Sequence, residues 1–487
     1  MTTTTTTDYE LVCGLEVHCQ LGTRTKLFCS CGTDGFGARA NSRVCPVCTG
    51  QPGVLPVLNK KAVELAFKAA VALEMELAPE SIFARKNYFY PDLPKAYQIS
   101  QYEQPYSQHG KLAITLKDGT KKVVRIHRIH MEEDAGKLLH EIGSETLDHS
   151  LVDFNRGGVP LIEIVTEPDI RTSDEAYAYL TALKEVLIAA GVSRCDMEKG
   201  EMRCDANVSL RPRGQEKFGT RAEIKNLNSF KGVKDAMDYE FRRQAEILDG
   251  GGKIVQETRL WDAHRMETKS MRSKEEAHDY RYFPDPDLVP LKADAAFIAA
   301  IKAALPELPS AKRARYESQL GLSAYDADVL ASDQALGVFF DAAVAKAGDA
   351  KMLANMVAND LMAKVNAEGT ALADCRVKPE AMSELVLAVK SGKLSTKGAK
   401  EVFTAMWETG ERPLVLIERL GMAQVSDENQ VRAWVRQALA ANPQAAADLK
   451  GGKDRAIGSI VGAVMKLSKG KANPAVVNTL IKEEALK

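Results

Sequence analysis

Residues 128–137 have the sequence Arg-Ile-His-Met-Glu-Glu-Asp-Ala-Gly-Lys, and the interpretation of the whole chain starts from them. Three consecutive carboxylates follow a histidine, and a basic residue lies at each end of the stretch. Charged residues in this number are unfavourable in the core of a helix or strand. Like charges held this close repel one another unless a cation lies among them. The stretch therefore predicts a divalent-metal site.

The segment before these carboxylates has the pattern of a β-hairpin. Residues 111–116 and the residues from Lys121 onward are two strand-like runs, joined by the turn Asp118-Gly119. The second strand runs into the acidic cluster. It therefore delivers carboxylates at its tip, where binding sites are commonly built.

A lone carboxylate in an apolar strand is the next candidate ligand. The segment Pro160-Leu-Ile-Glu-Ile-Val165 has apolar residues on both sides of Glu163, which predicts a strand buried on both faces. A carboxylate in such a strand must be paired, protonated or bound to a metal. We expect Glu163 to be a metal ligand, with a buried salt bridge as the alternative.

Two further segments alternate between apolar and polar residues, as half-buried strands do: residues 9–21 and 201–211. Glu16 and His18 share the polar face of the first, at a spacing suited to one cation. Arg203 and Asp205 share the polar face of the second, a mixture that suits a metal–phosphate site. For each segment taken alone, a solvated sheet face is the competing interpretation.

Four cysteines form two close pairs, separated by thirteen residues that include glycines. They are Cys29, Cys31, Cys45 and Cys48. This spacing predicts a four-thiolate zinc site that closes a small knuckle over residues 29–48, whereas four reduced, unliganded cysteines are the alternative. A site with four thiolates has no open position, so we expect structural zinc.

Length and composition limit the architectures that are possible for this chain. A chain of 487 residues is too long for one core, and its net charge of −1 indicates no partner by itself. We expect residues 1–8 to be a disordered leader, because a threonine run is neither a signal peptide nor a transit peptide. No segment is apolar enough for a membrane span, and we expect a soluble, cytoplasmic protein.

The hydrophobic pattern predicts an α+β fold. We expect a catalytic domain over residues 9–290 with a largely antiparallel sheet, then a helical domain over 291–410 and a helical tail over 411–487. Within the first domain, helices are predicted from Asn59 to about Leu77 and from Ser229 to about Asp249. The tail is basic and rich in glycine, which suits a phosphate backbone, although a solvated helix face explains it equally well.

Several long motifs resemble the B-subunit family of tRNA-dependent amidotransferases (GatB), and the likeness covers essentially the whole chain beyond the leader. The motifs are Gly14-Leu-Glu-Val-His18, Lys86-Asn-Tyr-Phe-Tyr-Pro91, Pro94-Lys-Ala-Tyr-Gln-Ile-Ser100, His130-Met-Glu-Glu-Asp-Ala-Gly-Lys137, Pro160-Leu-Ile-Glu-Ile-Val165, Arg203-Cys-Asp-Ala-Asn207, Lys225-Asn-Leu-Asn-Ser-Phe230, Asp279-Tyr-Arg-Tyr-Phe-Pro284 and Lys466-Leu-Ser-Lys-Gly-Lys-Ala-Asn-Pro474. Some members of that family lack the zinc cysteines, and this chain retains all four.

The resemblance implies an activity, its cofactors and its partners. Proteins of this family use ATP and Mg²⁺ to phosphorylate the side-chain carboxylate of Glu or Asp esterified to tRNA(Gln) or tRNA(Asn). Ammonia from a partner amidase (A) subunit, in a heterotrimer with a small C subunit, then displaces phosphate and leaves an amide. A carboxylate needs such activation because it is a poor electrophile, and the phosphoryl transfer needs metal ions that bridge phosphate oxygens.

The resemblance also suggests roles for individual residues. The set assigned to Mg²⁺ is Glu16, His18, Glu132, Glu163 and Asp205. Because Mg²⁺ prefers oxygen, His18 could instead orient a carboxylate or contact phosphate. Catalysis is assigned to Glu132, Glu163, Asp205 and Arg203, of which Arg203 would stabilise charge on the phosphoryl group. The ammonia path is assigned to Lys86, Lys95 and Glu133, and tRNA binding to Lys466, Lys469 and Lys471.

Two other functions compete with this interpretation. A metal-dependent hydrolase that uses the cysteine-bound metal would turn over without ATP, but a closed thiolate set argues against it. A tRNA-binding scaffold that leaves all chemistry to its partners would not bind ATP. Because the chain has no G-x-x-x-x-G-K-[ST] loop, it is not a P-loop enzyme.

Overall fold

The structure is a computed structural model that describes residues 7–142, 145–273, 280–425, 427–450, 454–468 and 470–485. Most of the predicted leader lies outside these residues. The chain divides into two compact units, Met1–Leu308 and Pro309–Lys487. The domain boundaries at residues 290 and 410 stay predictions.

The first unit contains the strands. In chain order they are β1 (Tyr9–Gln20), β2 (Glu76–Leu77), β3 (Glu80–Ser81), β4 (Ala84–Asn87), β5 (Tyr97–Ser100), β6 (Ser107–Thr115), β7 (Lys121–Glu133), β8 (Lys137–Ile142), β9 (Glu145–Asp153), β10 (Pro160–Thr166), β11 (Met202–Pro212), β12 (Ala222–Leu227), β13 (Glu257–Asp262), β14 (Glu267–Ser273), β15 (Phe283–Pro284) and β16 (Leu291–Lys292). Among the described residues, nine of them form one sheet in the order β14-β13-β12-β11-β1-β10-β7-β6-β2. Of the strand pairs described in this sheet, only β12–β13 is parallel, so the predicted antiparallel character is confirmed.

In its described residues, the first unit has four helices: α1 (Lys60–Ala72), α2 (Ser173–Ala189), α3 (Phe230–Asp249) and α4 (Ala295–Ala303). The prediction for α3 is confirmed, and its Ser229 cap accepts from the Gly232 N–H. The prediction that α1 reaches Leu77 is wrong. The chain turns at Glu74, where φ is +53°, and then enters β2, which pairs with β6 and forms the edge of the sheet.

The two faces of the large sheet differ in chemistry because side chains alternate along each strand. In β1, Leu15, Val17 and Cys19 are fully buried in the core that α1, α2 and α3 cover. Burying such side chains stabilises the fold by about 1.5–3 kcal/mol each. The intervening residues Glu16 and His18 lie on the opposite face and are only half-buried. The apolar face thus holds the sheet together and leaves the polar face for a site.

The second unit is helical. Its helices are α5 (Pro309–Leu320), α6 (Ala324–Ser332), α7 (Gln334–Ala347), α8 (Ala350–Asn355), α9 (Met362–Glu368), α10 (Pro379–Lys390), α11 (Thr396–Thr409), α12 (Pro413–Arg419), α13 (Glu428–Ala441), α14 (Pro443–Lys450), α15 (Ile457–Leu467) and α16 (Pro474–Ala485). Their buried side chains form one apolar cluster between residues 316 and 417 and another between 431 and 485. The predicted α+β class, with helices after the sheet, is therefore confirmed. No helix in the described ranges combines the length and low charge of a membrane-crossing segment.

Candidate functional site

The polar face of the sheet carries a continuous row of charged side chains across four adjacent strands. His130 of β7 is opposite Glu163 of β10, which is opposite His18 of β1, which is opposite Arg203 of β11. Cross-strand neighbours on one face lie about 4.5–5.5 Å apart at Cβ. The strand register therefore brings residues from distant parts of the sequence into one row.

Two histidines and two carboxylates form the centre of this row. His18 Nε2 lies 3.3 Å from Glu163 Oε2 and 3.6 Å from Glu132 Oε1. His130 Nε2 lies 3.3 Å from Glu163 Oε2 and 3.7 Å from Glu132 Oε2. Both carboxylates are buried, with Glu163 6% and Glu132 3% exposed. One ligand atom each from His18, Glu132 and Glu163 lie within 4.8 Å of one another, so this set could hold a metal ion.

The charges in this group depend on one another. Burial raises the pKa of Glu163, but His130 and His18 outweigh burial and hold that pKa well below its ordinary value. Burial lowers the pKa of His130, and Glu163 and Glu132 outweigh it and raise that pKa to about 9. Among the described residues, the buried Nδ1 of His130 has no hydrogen-bond partner. The carboxylates thus keep their negative charge only beside positive groups.

A second carboxylate group lies next along the same face. Ligand atoms of Glu16, Asp205 and Glu223 lie within 4.8 Å of one another. Lys225 Nζ is 2.8 Å from Asp205 and 3.2 Å from Glu223 and offsets part of their charge. Burial and the nearby Glu163 raise the pKa of Glu16 to about 7. Both effects disfavour the charged form of Glu16, and a nearby cation would favour it.

The five residues predicted as magnesium ligands thus share one face, divided between two groups. His18, Glu132 and Glu163 make up the first group, and Glu16 and Asp205 belong to the second. Their role as ligands stays a prediction.

Sequence reasoning assigned no role to His130 or Glu223, although both lie in these groups. His130 alternates with Glu132 along β7, and Glu223 lies in the short polar-faced strand β12. That alternation is the signal that could have identified them.

Arg203 borders the first group, and an acidic partner fixes its position. Its Nη2 lies 2.8 Å from Asp134 Oδ2, which also accepts a 2.9 Å hydrogen bond from Gln20 Nε2. Asp134 is the third of the consecutive carboxylates in residues 128–137, and it is itself buried. The Asp134 carboxylate raises the pKa of Arg203, so the guanidinium keeps its charge beside the carboxylates.

The residues predicted for ammonia passage lie just beyond the first group. Lys95 forms an ion pair with Glu133, whose Oε1 also accepts a 3.0 Å hydrogen bond from the Ile99 N–H. Glu133 and Lys95 line a cavity of about 200 Å³ that reaches the cysteine knuckle. Lys86 lies on β4 with its ammonium 5.0 Å from the Tyr280 ring centroid. Transport of ammonia along these residues stays a prediction.

The four knuckle cysteines come together as their spacing predicts. One Sγ each from Cys29, Cys31, Cys45 and Cys48 lie within 4.8 Å of one another, a set that could hold a metal ion such as zinc. Cys48 Sγ accepts a hydrogen bond from the Cys45 N–H at 3.2 Å. Contact with Cys29 is the largest of the effects that lower the pKa of Cys48 to about 4, which favours the thiolate that a metal requires.

The lysines predicted to bind tRNA are in the second unit. Lys466, in the last turn of α15, and Lys471, just before α16, are exposed. Lys469 lies outside the described residues. Their role in tRNA binding stays a prediction.

Comparison with known proteins identifies the family. Residues 11–299 match the family described as the GatB/GatE catalytic domain, and residues 338–485 match the GatB domain. A protein of Syntrophotalea carbinolica, named as the B subunit of aspartyl/glutamyl-tRNA(Asn/Gln) amidotransferase, is 53% identical over 98% of this chain and 99% of its own length. Proteins of the same name from Carboxydothermus hydrogenoformans (51% identical, 99% of each chain) and Brevibacillus brevis (52%, 98% of each chain) are similarly close. The chain therefore belongs to the GatB/GatE family.

Proposed function

We propose that this chain is the B subunit of a glutamine-dependent aminoacyl-tRNA amidotransferase. It activates the side-chain carboxylate of Glu-tRNA(Gln), Asp-tRNA(Asn) or both with ATP and Mg²⁺, and then converts it to the amide. The names of its relatives support the enzyme class. The single observation that carries the chemistry is the pair of neighbouring carboxylate groups, His18–Glu132–Glu163 and Glu16–Asp205–Glu223, on one sheet face.

The residues of the two groups fit divalent cations. Carboxylate oxygens dominate both sets, as Mg²⁺ prefers, and the pKa of Glu16 is raised by its burial and by the neighbouring Glu163 carboxylate. Bound Mg²⁺ would neutralise phosphate oxygens during phosphoryl transfer. The residues that would hold it are the carboxylates of the two groups, with His18 as a nitrogen ligand or as a hydrogen-bond donor that orients Glu163.

The reaction consists of two displacements. A side-chain carboxylate oxygen of the tRNA-bound amino acid attacks the γ-phosphorus of ATP, and ADP leaves with the electrons of the broken P–O bond. Ammonia then attacks the carbonyl carbon, phosphate leaves with the electrons of the C–O bond, and the phosphate takes up the proton that the nitrogen releases. In this proposal Arg203, which forms an ion pair with Asp134, donates to the transferred phosphoryl oxygens, where a fixed cation acts without reorganisation.

The ammonia comes from a partner amidase subunit in this proposal. Lys95 and Glu133 are a buried ion pair beside the first carboxylate group. The strand β5 connects the two, because its Ile99 N–H donates to Glu133 and its Ser100 hydroxyl donates to Glu132 Oε2 at 3.1 Å. A buried pair of opposite charges supplies both a donor and an acceptor to a small polar molecule. The heterotrimer with an amidase subunit and a small C subunit is part of the same proposal.

Zinc in the cysteine knuckle has a structural role in this proposal. Four thiolates leave no open coordination position for a substrate. The knuckle borders the site, because Cys29, Val47 and Cys48 line the same cavity as Lys95 and Glu133. A folded knuckle therefore fixes one side of the Lys95–Glu133 pair.

Replacing Glu163 with glutamine is expected to lower tRNA-dependent ATP turnover at least about 100-fold, because the first group loses its central charge. Turnover is measured as phosphate release with ATP, Mg²⁺, misacylated tRNA and ammonium chloride. The affinity for tRNA, measured by filter binding, stays near that of the parent chain. The matched control is Glu167→Gln, just beyond the other end of β10, where Glu167 contacts His127. Full turnover by Glu163→Gln would contradict the site assignment.

Lys95→Met is expected to lower glutamine-supported amidation about tenfold or more, because the delivery of ammonia depends on aligned groups. Amidation supported by ammonium chloride, which reaches the site from solvent, is expected to change little. The assay is performed on the complex with the amidase partner, and the exposed Lys61→Met on α1 is the control. Equal losses with both ammonia sources would reject a transport role for Lys95.

Cys45→Ser is expected to abolish the zinc content of the purified chain, which is about one ion per chain before the change. Metal analysis on protein kept under reducing conditions measures this content, and thermal unfolding is expected at lower temperature. Cys375→Ser, at a buried cysteine of the second unit, keeps the zinc. A parent chain that contains no zinc would refute this prediction.

A further inference from the structure

A row of tyrosines borders the polar face of the sheet and belongs to neither carboxylate group. Tyr102 and Tyr282 stack face to face, with ring centroids 4.2 Å apart and planes 6° from parallel. Tyr280 contacts the edge of Tyr282 at 6.1 Å, and Tyr88 contacts Tyr280 at 5.9 Å. We call Tyr102 and Tyr282 the tyrosine pair.

The tyrosine pair is accessible from solvent. Tyr102 is 44% exposed, and Tyr282 is half-buried. A large aromatic side chain usually covers its faces in a core or an interface, because most of its surface is apolar. An exposed stacked pair therefore offers a flat apolar surface to a planar ligand.

The tyrosine pair also lies beside the first carboxylate group. Ser100, two residues before Tyr102, donates to Glu132 Oε2 at 3.1 Å. Burial raises the pKa of Tyr282 to about 12 against the opposing effect of Lys86, and the charges of Glu132 and Glu163 add to the rise. Both observations place the rings close to the carboxylates that would act on the substrate.

Arg128 connects the tyrosine pair to the sheet. It precedes His130 by two residues in β7 and shares its face, and its guanidinium carbon is 5.9 Å from the Tyr102 ring centroid. Within the described part of the chain, its buried Nε has no hydrogen-bond partner. A buried donor without a partner is costly, so this position suits an acceptor that a ligand brings.

We propose that Tyr102, Tyr282 and Arg128 bind the 3′-terminal nucleoside of the aminoacylated tRNA. The base stacks on the tyrosine pair, and a phosphate oxygen of the same nucleotide accepts from the guanidinium of the half-buried Arg128. Aromatic faces combined with an arginine are the usual composition of sites for unpaired nucleotides. The inference rests on the proposed function, which makes an aminoacylated tRNA the substrate.

The covalent structure of the substrate favours this nucleoside. The reacting amino acid is esterified to the terminal ribose, so one ribose and one amino-acid residue separate the terminal base from the carboxylate that must reach Glu132 and Glu163. The adenine of ATP is separated from its γ-phosphate by a ribose and two further phosphates. Adenine from ATP shares the same stacking chemistry, and the experiment therefore distinguishes the two sources.

The test uses the full-length chain and tRNA in which 2-aminopurine, a fluorescent adenine analogue quenched by stacking, replaces the terminal adenine. Binding to the parent chain is expected to quench the fluorescence, and Tyr102→Phe, which keeps the ring, is expected to behave in the same way. Tyr102→Leu is expected to lose the quench and to bind tRNA about tenfold more weakly, as the loss of one stacked base implies. The affinity of Tyr102→Leu for ATP stays unchanged.

Tyr177→Leu is the matched control, because Tyr177 is 41% exposed but lies on α2, which packs against the other face of the sheet. Quenching that persists in Tyr102→Leu would overturn the inference. A loss of ATP affinity with intact quenching would also overturn it and assign the rings to ATP. The fluorescence needs neither ATP turnover nor metal, so a chain that quenches but does not amidate would contradict only the proposed function.

Discussion

The structure depends on negative charge concentrated on one face of a sheet. Glu132 and Glu163 are buried side by side, and isolated carboxylates in that position would lose their charge. His18 and His130 lie between them at 3.3–3.7 Å and supply positive charge. The same crowding that makes the cluster costly for the protein alone makes it suitable for a divalent cation.

The geometry follows from the alternation of side chains in antiparallel strands. In β1, odd-numbered residues such as Val17 enter the core and even-numbered residues such as His18 face the site. A slip of one residue in any of the four central strands would move its site residues into the core. The apolar core therefore sets the register of the site, because each strand has only one alignment that buries its apolar side chains.

The sequence allowed the sheet class and the shared face to be predicted, since alternation and isolated carboxylates are local patterns. It did not separate the predicted ligands into two groups, because that division depends on which strands are neighbours. Strand order is a long-range property. It places β1 between β10 and β11, although both of these strands are far from β1 in the sequence. His130 and Glu223 were missed for a different reason, because the alternation along β7 and β12 that marks their face is local and was not applied to them. The end of α1 was misplaced because pairing of Glu76–Leu77 with β6 overrode a continuing helical pattern.

The account depends most directly on cations that bind the two carboxylate groups. Crystals soaked with Mn²⁺ in place of Mg²⁺, together with a non-hydrolysable ATP analogue, allow the metal to be located by anomalous scattering. The account predicts peaks about 2.1–2.2 Å from carboxylate oxygens of Glu132 or Glu163 and of Glu16 or Asp205, with the analogue's phosphates alongside. Anomalous density confined to the cysteine knuckle or to remote surface sites, with the nucleotide bound elsewhere, would contradict it.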